Sequence, residues 1–510
     1  MAGAGEDEAA PPLDGQPMGG AAAAGELSRV EQHHGAGDHA PDSPPSFRME
    51  DLPAEIQTVV ISLLPLKEAV RTSLVSKSWS MLWTSHSNIC FYGPNDKDFP
   101  RDWDLDDPAD DHKFRHLIKL KRAKLIDDVD GIIQRHSGIG INKFSISCED
   151  LDHLHRWIRF AATSKANIIE FDLKKSIAES EEVHHFPLEA LDVQGNSCVQ
   201  SLFLAHVSIK PHSGICGFNI LRKLVLEYVQ IFGDFPGLLA NCSALEDLKI
   251  INCSAVTNLS IPHQLDKLQH LLIGGTDVEM VEFHAANLAH FEYRGGVIPI
   301  VLHGCSKLEK ATIKFFGDKA LGHAFTVVPS ILPVKILNVE ASIWRYEQLQ
   351  KLSSRPHRMF MHLRHLTCHL LVGDSAQDAD NGVLQLACCL DIAPQLETLH
   401  LDMCYLAYMD CKSNAVVEEE GSHMHRHEHL KTVYISGFRL YKAQTRLACC
   451  ILANASVLEH LTIEPRFVCS ATGPMLNHGE ESAMPEVCKW ALLASKRFGK
   501  VITVVDAPSE

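Results

Sequence analysis

At 510 residues, with 47 basic against 64 acidic side chains and a net charge of −17, the chain is too long for one compact core, since single domains run about 100–200 residues. It is also too acidic for a dominant nucleic-acid or anionic-membrane role, which requires clustered Lys and Arg. Its 45% hydrophobic and 22% charged residues are ordinary for a soluble folded protein, and no apolar run reaches the roughly 18 residues of a bilayer span. Protein partners are the expectation, with neither nucleic acid nor membrane among them. The terminus MAGAGEDEAA carries acids where a secretory signal carries bases, so residence inside the cell, cytoplasmic and/or nuclear, is expected. The 16 cysteines include no CxxC pair and mostly sit beside Leu, Ile or Ala, as buried free thiols rather than disulfides or zinc ligands would.

Residues 1–46 are rich in Gly, Ala, Pro and Asp and nearly devoid of large apolar side chains, which predicts a disordered tail. Residues 47–91 read as a small helical module. Pro53 suits a first helical turn and Glu55 favours the positive helix end. Ile56, Val60, Leu63 and Leu64 then form one apolar stripe that Pro65 ends. A second helical run begins at Lys67 with Val70 and Leu74 on one side, and Val75, Trp79, Leu82 and Trp83 repeat the helical spacing. So small a bundle carries more apolar surface than it can bury alone. Residues 92–112 hold Pro94, Pro100, Pro108 and six aspartates between Asp102 and Asp111, the composition of an acidic linker.

From Ile141 onward one pattern recurs: apolar, two variable positions, apolar, one variable position, apolar. It runs through Ile141-Phe144-Ile146, Ile168-Phe171-Leu173, Val199-Leu202-Leu204, Leu221-Leu224-Leu226, Leu245-Leu248-Ile250 and Leu268-Leu271-Ile273. It continues through Leu288-Phe291-Tyr293, Leu308-Ala311-Ile313, Val334-Leu337-Val339, Leu363-Leu366-Cys368, Leu396-Leu399-Leu401, Leu430-Val433-Ile435 and Leu458-Leu461-Ile463. The spacing centres on the leucine-rich-repeat period of about 20–29 residues. The last two apolar positions differ by two and share one face of a short strand, which only stacked copies can bury. The predicted fold class is therefore α/β: a small all-α module followed by an irregular leucine-rich-repeat solenoid, parallel strands on one side and helices or turns on the other. The phrases LANCSALE (239–246), LHGCSKLE (302–309), LDIAPQLE (390–397) and LANASVLE (452–459) place the last Leu of a helical segment six residues before the first Leu of a strand. The Asn or Cys usual three positions beyond the strand is matched only at Cys253 and Cys404, so irregular repeats are expected.

The run DLPAEI, then ISLLPLKEAVRTSLVSKSW and the trailing LW resemble the F-box motif over nearly its whole length. Plant F-box proteins with leucine-rich repeats are the most similar group. The stretch from Trp157 to Leu173 resembles the same family, and Leu430 to Ile463 is similar to the FBD region that often follows such repeats. The resemblance implies an F-box over 47–91, repeats over 113–429, and last repeats with an FBD-like region over 430–505. It implies a substrate-recognition subunit of a Skp-cullin-F-box ubiquitin ligase that does no chemistry itself. The F-box would bind a Skp-family adaptor and, through it, a cullin, while the repeats bind an unknown protein substrate. Carried over by position, Leu52, Pro53, Ile56, Ile61, Leu63, Leu64, Pro65, Val70, Leu74 and Val75 would contact the adaptor, and Trp79 and Trp83 would hold the F-box together. The alternative is a non-catalytic repeat scaffold or ligand receptor acting by binding alone.

No catalytic motif emerges: there is no Walker A, no GxGxxG after a strand and no GxSxG elbow. No catalytic residue, cofactor or metal site is expected. His423, His425, His427 and His429 alternate as ligands on one strand face can, but they follow the polar insertion Glu418-Glu419-Glu420-Gly421-Ser422 and read as loop. Cys388-Cys389 and Cys449-Cys450 read as core packing. The basic cluster of Lys113, Arg115, Lys119, Lys121, Arg122 and Lys124 reads as the solvated face of a helix that continues into Asp127, Asp128 and Asp130.

Overall fold

The computed structural model describes residues 51–93, 107–148, 153–173, 183–192, 197–212, 214–316, 333–343, 360–372, 426–465 and 484–505, together with 383–405 apart from 385, 388 and 389. The expected tail at 1–46, most of the acidic linker, Cys388, Cys389, the Glu418–Ser422 insertion, His423 and His425 lie outside the described residues. Pro53–Glu510 forms one unit, built on a sheet of fifteen strands. Every pairing recorded in it is parallel.

The apolar triplets are the rungs of this sheet. Phe144 pairs with Ile169, Leu202 with Leu224, Leu248 with Leu271, Phe291 with Ala311, Leu366 with Leu399 and Val433 with Leu461. Each of these side chains is at most 2% exposed. Burying one such side chain fully is worth about 1.5–3 kcal/mol, and the same face recurs on every rung, so the core is continuous along the repeats.

In one repeat the register differs from the sequence reading. Ile169 and Phe171, not Phe171 and Leu173, align with Leu202 and Leu204, and Ala166, 1% exposed, takes the first apolar position. A two-residue slip leaves the same face inward, so Phe171 and Leu173 are still buried while Ile168 turns to the half-buried outer side.

A second ladder, made only of backbone, joins the rungs at the entrances to the strands from Lys143–Ser147 to His460–Glu464. Gln200 C=O accepts from the amides of Arg222 and Lys223 at 2.8 and 3.0 Å, and Arg222 C=O from Glu246 and Asp247 at 2.7 and 3.0 Å. The same double acceptance recurs at Ser87, Asn142, Asn167, Glu246, Gln269, Ala289, Glu309, Lys335, Arg364, Glu397 and Lys431. Because main-chain groups do this work, the side chain at that position is free to vary, which is why Gln, Arg, Ala, Lys and Glu all occupy it.

The side opposite the long sheet changes with repeat length. Helices Leu154–Thr163, Phe235–Ala240, Lys442–Asn454 and Met484–Phe498 serve the longer repeats. Between Asn258 and His303, where the sheet strands start twenty residues apart at His270, His290 and Lys310, short parallel strands replace them. Twenty residues leave too little chain for a helix once the strand and two turns are made. Leu302, expected to close a helix, accordingly sits on the strand Ile300–His303.

Both ends of the sheet extend beyond the recognised triplets. Asn88–Tyr92 pairs with Lys143–Ser147, placing Ile89 beside Phe144 and Phe91 beside Ile146. Ile502–Val504 pairs with His460–Glu464 at the far end.

Candidate functional site

The N-terminal helical module begins with α1 (Ala54–Ser62) and α2 (Leu66–Thr72), each entered through a proline, Pro53 and Pro65, in extended backbone. Of the two or three short helices that the spacing allows, two form: the segment Val75–Trp83 is a series of turns running into the single 3-10 turn Leu82–Ser85. Its serines explain why. Ser73 Oγ donates to Val70 C=O at 2.6 Å, Ser80 Oγ donates to Lys77 C=O at 2.8 Å, and the Ser76 and Ser78 hydroxyls bond each other at 2.7 Å. Such local bonds compete with helical continuation.

Ile61, Ala69 and Trp83 make a small core, against which Val70, Leu82 and Ile132 pack. Ile61 was expected among the outward contacts; at 2% exposure it faces this core instead, because it points to the side of α1 opposite Ile56, Val59 and Leu63. Val70, on α2, packs against the same core and is half-buried, as are Leu52 and Trp79. Pro53 and Pro65 are exposed. The remaining expected positions form an apolar surface: Ile56 46%, Leu63 79%, Leu64 36%, Leu74 87% and Val75 74% exposed, joined by Val59 at 55% and Met81 at 65%. Val59 was missed although it completes an i, i+3, i+7 stripe with Ile56 and Leu63; Met81 had no periodic signal because it stands in a turn.

Two buried histidines moor this module to the repeats. His86 Nδ1 accepts from Asn88 N–H at 3.1 Å, so its Nε2 carries the proton and donates to Leu64 C=O at 2.9 Å. His136 repeats the arrangement, accepting from Gly138 N–H at 3.0 Å and donating to His86 C=O at 3.0 Å. Burial pushes the His136 pKa down, so the ring stays in the neutral form that this bonding needs.

His136 immediately follows α3 (Pro108–Arg135), a mostly solvated helix whose buried side chain is Val129. Its basic residues meet nearby acids: Lys113 with Asp110 at 2.8 Å and Arg115 with Asp111 at 2.9 Å. Asp130 accepts from Trp157 Nε1 at 3.0 Å and pairs with Arg156.

The outer face of the long sheet carries the variable positions of each strand. On it Lys143 pairs with Glu170 at 2.8 Å and Lys314 with Glu340, while Lys335 and Glu309, just before their strands, pair at 2.9 Å. Histidines concentrate at two places on this face. In one, Asp402 accepts from His369 Nδ1 at 2.7 Å, His400 Nε2 at 3.1 Å and Ser436 Oγ at 2.6 Å. Burial raises the Asp402 carboxyl, but these bonds outweigh it and hold the group well below the usual carboxylate range. The His369 pKa is raised, chiefly by its hydrogen bond to Asp402. In the other, His270 and His290 stack with ring centroids 4.7 Å apart, His270 Nδ1 meets Asp247 Oδ1 at 2.9 Å, and Glu292 lies beside them. A third cluster sits on the short strands opposite, where His303 Nε2 meets Glu282 Oε1 at 2.9 Å and stacks on His284.

Of the residues singled out earlier by their spacing, His427, Cys449 and Cys450 are buried, whereas His429 is exposed. His427 is buried and its Nε2 bonds Ala393 C=O at 2.9 Å. Cys449 and Cys450 are buried free thiols on Lys442–Asn454, and burial pushes the Cys449 pKa up to about 11. No helix among the described residues is long and apolar enough to cross a membrane.

Comparison with known proteins agrees with this layout. Residues 132–488 match the family model "At1g61320/AtMIF1, LRR domain", and residues 49–91 match the F-box domain. The Arabidopsis thaliana F-box/LRR-repeat protein At3g58940 is 33% identical over 114 residues, covering 22% of this chain and 16% of that protein. At3g59200 is 25% identical over 268 residues, covering 49% of this chain and 46% of that protein. At3g58900 is 25% identical over 262 residues, covering 48% of this chain and 71% of that protein. The first two alignments thus span less than half of each relative. Among solved structures, the TLR13-ssRNA13 complex aligns with 63% of this chain at 12% identity and a TM-score of 0.21, covering 58% of that chain. With the family model spanning most of its repeats and an F-box ahead of them, the chain belongs to the F-box/leucine-rich-repeat family.

Proposed function

We propose that this protein is the substrate-recognition subunit of an SCF-type E3 ubiquitin ligase, acting without chemistry of its own. The F-box docks on a Skp-family adaptor, which links it to a cullin, and the repeats hold a target protein near the ubiquitin-loaded enzyme. Its contribution is effective concentration and orientation.

The observation that supports this reading best is the apolar surface at Ile56, Val59, Leu63, Leu74 and Val75, exposed within the stretch that matches an F-box domain. Five large apolar side chains open to water on so small a module fit a surface that another protein covers. Leu52, Pro53, Leu64, Pro65 and Val70 belong to the same adaptor contact in this reading, Ile61 staying with the internal core. Trp83 holds the F-box helices from within and Trp79 supports them. Target contacts belong to the outer sheet face and its loops.

Co-purification tests it. The full chain is expected to capture a Skp-family adaptor and a cullin, and the double variant L63D/L74D to lose both while keeping its far-UV circular dichroism. Capture unaffected by that variant, or none by the parent chain, favours a repeat scaffold or ligand receptor that acts by binding alone.

A further inference from the structure

The pair His270 and His290 poses a physical problem that the fold by itself leaves open. Both residues project from neighbouring rungs onto the outer sheet face, in register with Asp247 on the strand before them. Both Nε2 atoms are buried and have no hydrogen-bond partner among the described residues. The Asp247 carboxylate accepts from His270 Nδ1, which fixes that ring in the tautomer whose Nε2 bears a lone pair. One ligand atom each from His270, His290 and Glu292 lie within 4.8 Å of one another.

We propose that His270, His290 and Glu292 form a binding site for a divalent cation of the zinc class. Two imidazoles and a carboxylate suit that chemistry, and three protein ligands leave a fourth tetrahedral position open on the solvent side of the sheet. Asp247 is the outer-shell carboxylate that orients a ligating histidine and raises its basicity. Zinc bonds of about 2.0–2.1 Å draw ligand atoms to roughly 3.4 Å from each other, which adjustment of the rings and of the Glu292 side chain can meet. Arg294, which binds Glu292 through Oε1, and the nearby Lys249 and Lys310 oppose the incoming charge; Asp247 and Glu292 offset it. The cluster Glu282-His284-His303 carries a weaker case, because His303 Nε2 is already committed to Glu282.

The test uses the full chain without a polyhistidine tag, stripped by chelator and titrated with Zn²⁺ against a competing dye, then with Co²⁺ for its ligand-field absorption. The parent is expected to bind one equivalent that is absent from H290F, which keeps the ring stack, and retained in H303F. D247N is expected to keep the site at about 10–100-fold lower affinity, the usual effect of losing an outer-shell partner. Should H290F prove misfolded by circular dichroism, E292Q takes its place with the same expected loss. Unchanged stoichiometry and affinity in the ligand variant overturns the site, as does equal loss in H303F or absence of binding by the parent. Adaptor capture is not expected to respond to any of these variants, so failure here is separable from failure of the ligase assignment.

Discussion

The F-box and the repeat sheet are built from the same apolar residue types and treat them in opposite ways. In the sheet, Leu224, Leu248 and Leu271 are each at most 2% exposed, because the rungs on either side close over them. In the F-box, Leu63 and Leu74 are 79% and 87% exposed, because two short helices and a turn-rich segment supply no neighbour to cover them. The lesson is that a repeat carries its own partner in the next copy, whereas a module of about forty residues has too little volume to seal its apolar surface.

Truncation in the two regions gives the sharpest contrast. Leu271→Ala is expected to lower unfolding free energy by about 2–5 kcal/mol, read from urea denaturation, whereas Leu74→Ala should stay within about 0.5 kcal/mol. Equal destabilisation by the two changes would break the comparison.

A smaller effect is expected at Gln444, which is fully buried. Its Oε1 accepts from the amides of Arg439 at 2.8 Å and Tyr441 at 3.3 Å, and its Nε2 donates to Gly437 C=O at 2.8 Å, tying down a bend that holds Leu440 at φ 62°. Gln444→Leu leaves those groups unpaired and is expected to cost about 1–3 kcal/mol, measured as a drop in melting temperature.

The histidine mooring of the F-box should fall in the same range or below it. His86→Leu removes the bond to Leu64 C=O and is expected to cost about 1–2 kcal/mol and to speed proteolysis between Leu64 and Asn88. An unchanged cleavage rate would mean that the strand Asn88–Tyr92 holds the module without it.

The slightest expected change is a pH dependence in the sheet. His369 has a raised folded pKa, so its contribution is present below about pH 6.5, its ordinary value, and fades as pH rises through the folded value. Asp402, whose folded pKa is depressed, contributes above about pH 4 and loses that contribution only as acid reaches its lowered value. In Asp402→Asn the His369 pKa, followed by histidine NMR, is expected to fall toward the ordinary range, and the decline in stability as pH rises above about 6.5 to flatten. His369 is half exposed, so solvent keeps this effect small.

The strand positions were legible because a period of two, repeated at a regular interval, has one physical solution: apolar faces stacked in parallel. Thirteen triplets could be read this way, and even the mistaken register at Ile168 kept Phe171 and Leu173 buried, since a slip of two preserves the face. The first and last rungs were not read because Asn88–Tyr92 follows His86 where the pattern calls for an apolar residue and lies well beyond one repeat length from its partner strand Lys143–Ser147, while Ile502–Val504 is only three residues long. The resemblance, carried over by position, placed Ile61 outward with its neighbours; which side of α1 finds cover was decided by the packing of Ala69 and Trp83 against it.

What sequence by itself determined is the architecture: a helical module with surplus apolar surface, then a stack of strands whose leucines bury one another, because both follow from local periodicity. What only the tertiary structure decided is where distant polar groups meet. His427 stood out in an alternating histidine run and became a buried strap on Ala393. Asp247, His270 and His290, separated by more than twenty and by twenty residues, had no local signal and came side by side, because parallel register lines up equivalent positions of successive repeats whatever residues occupy them.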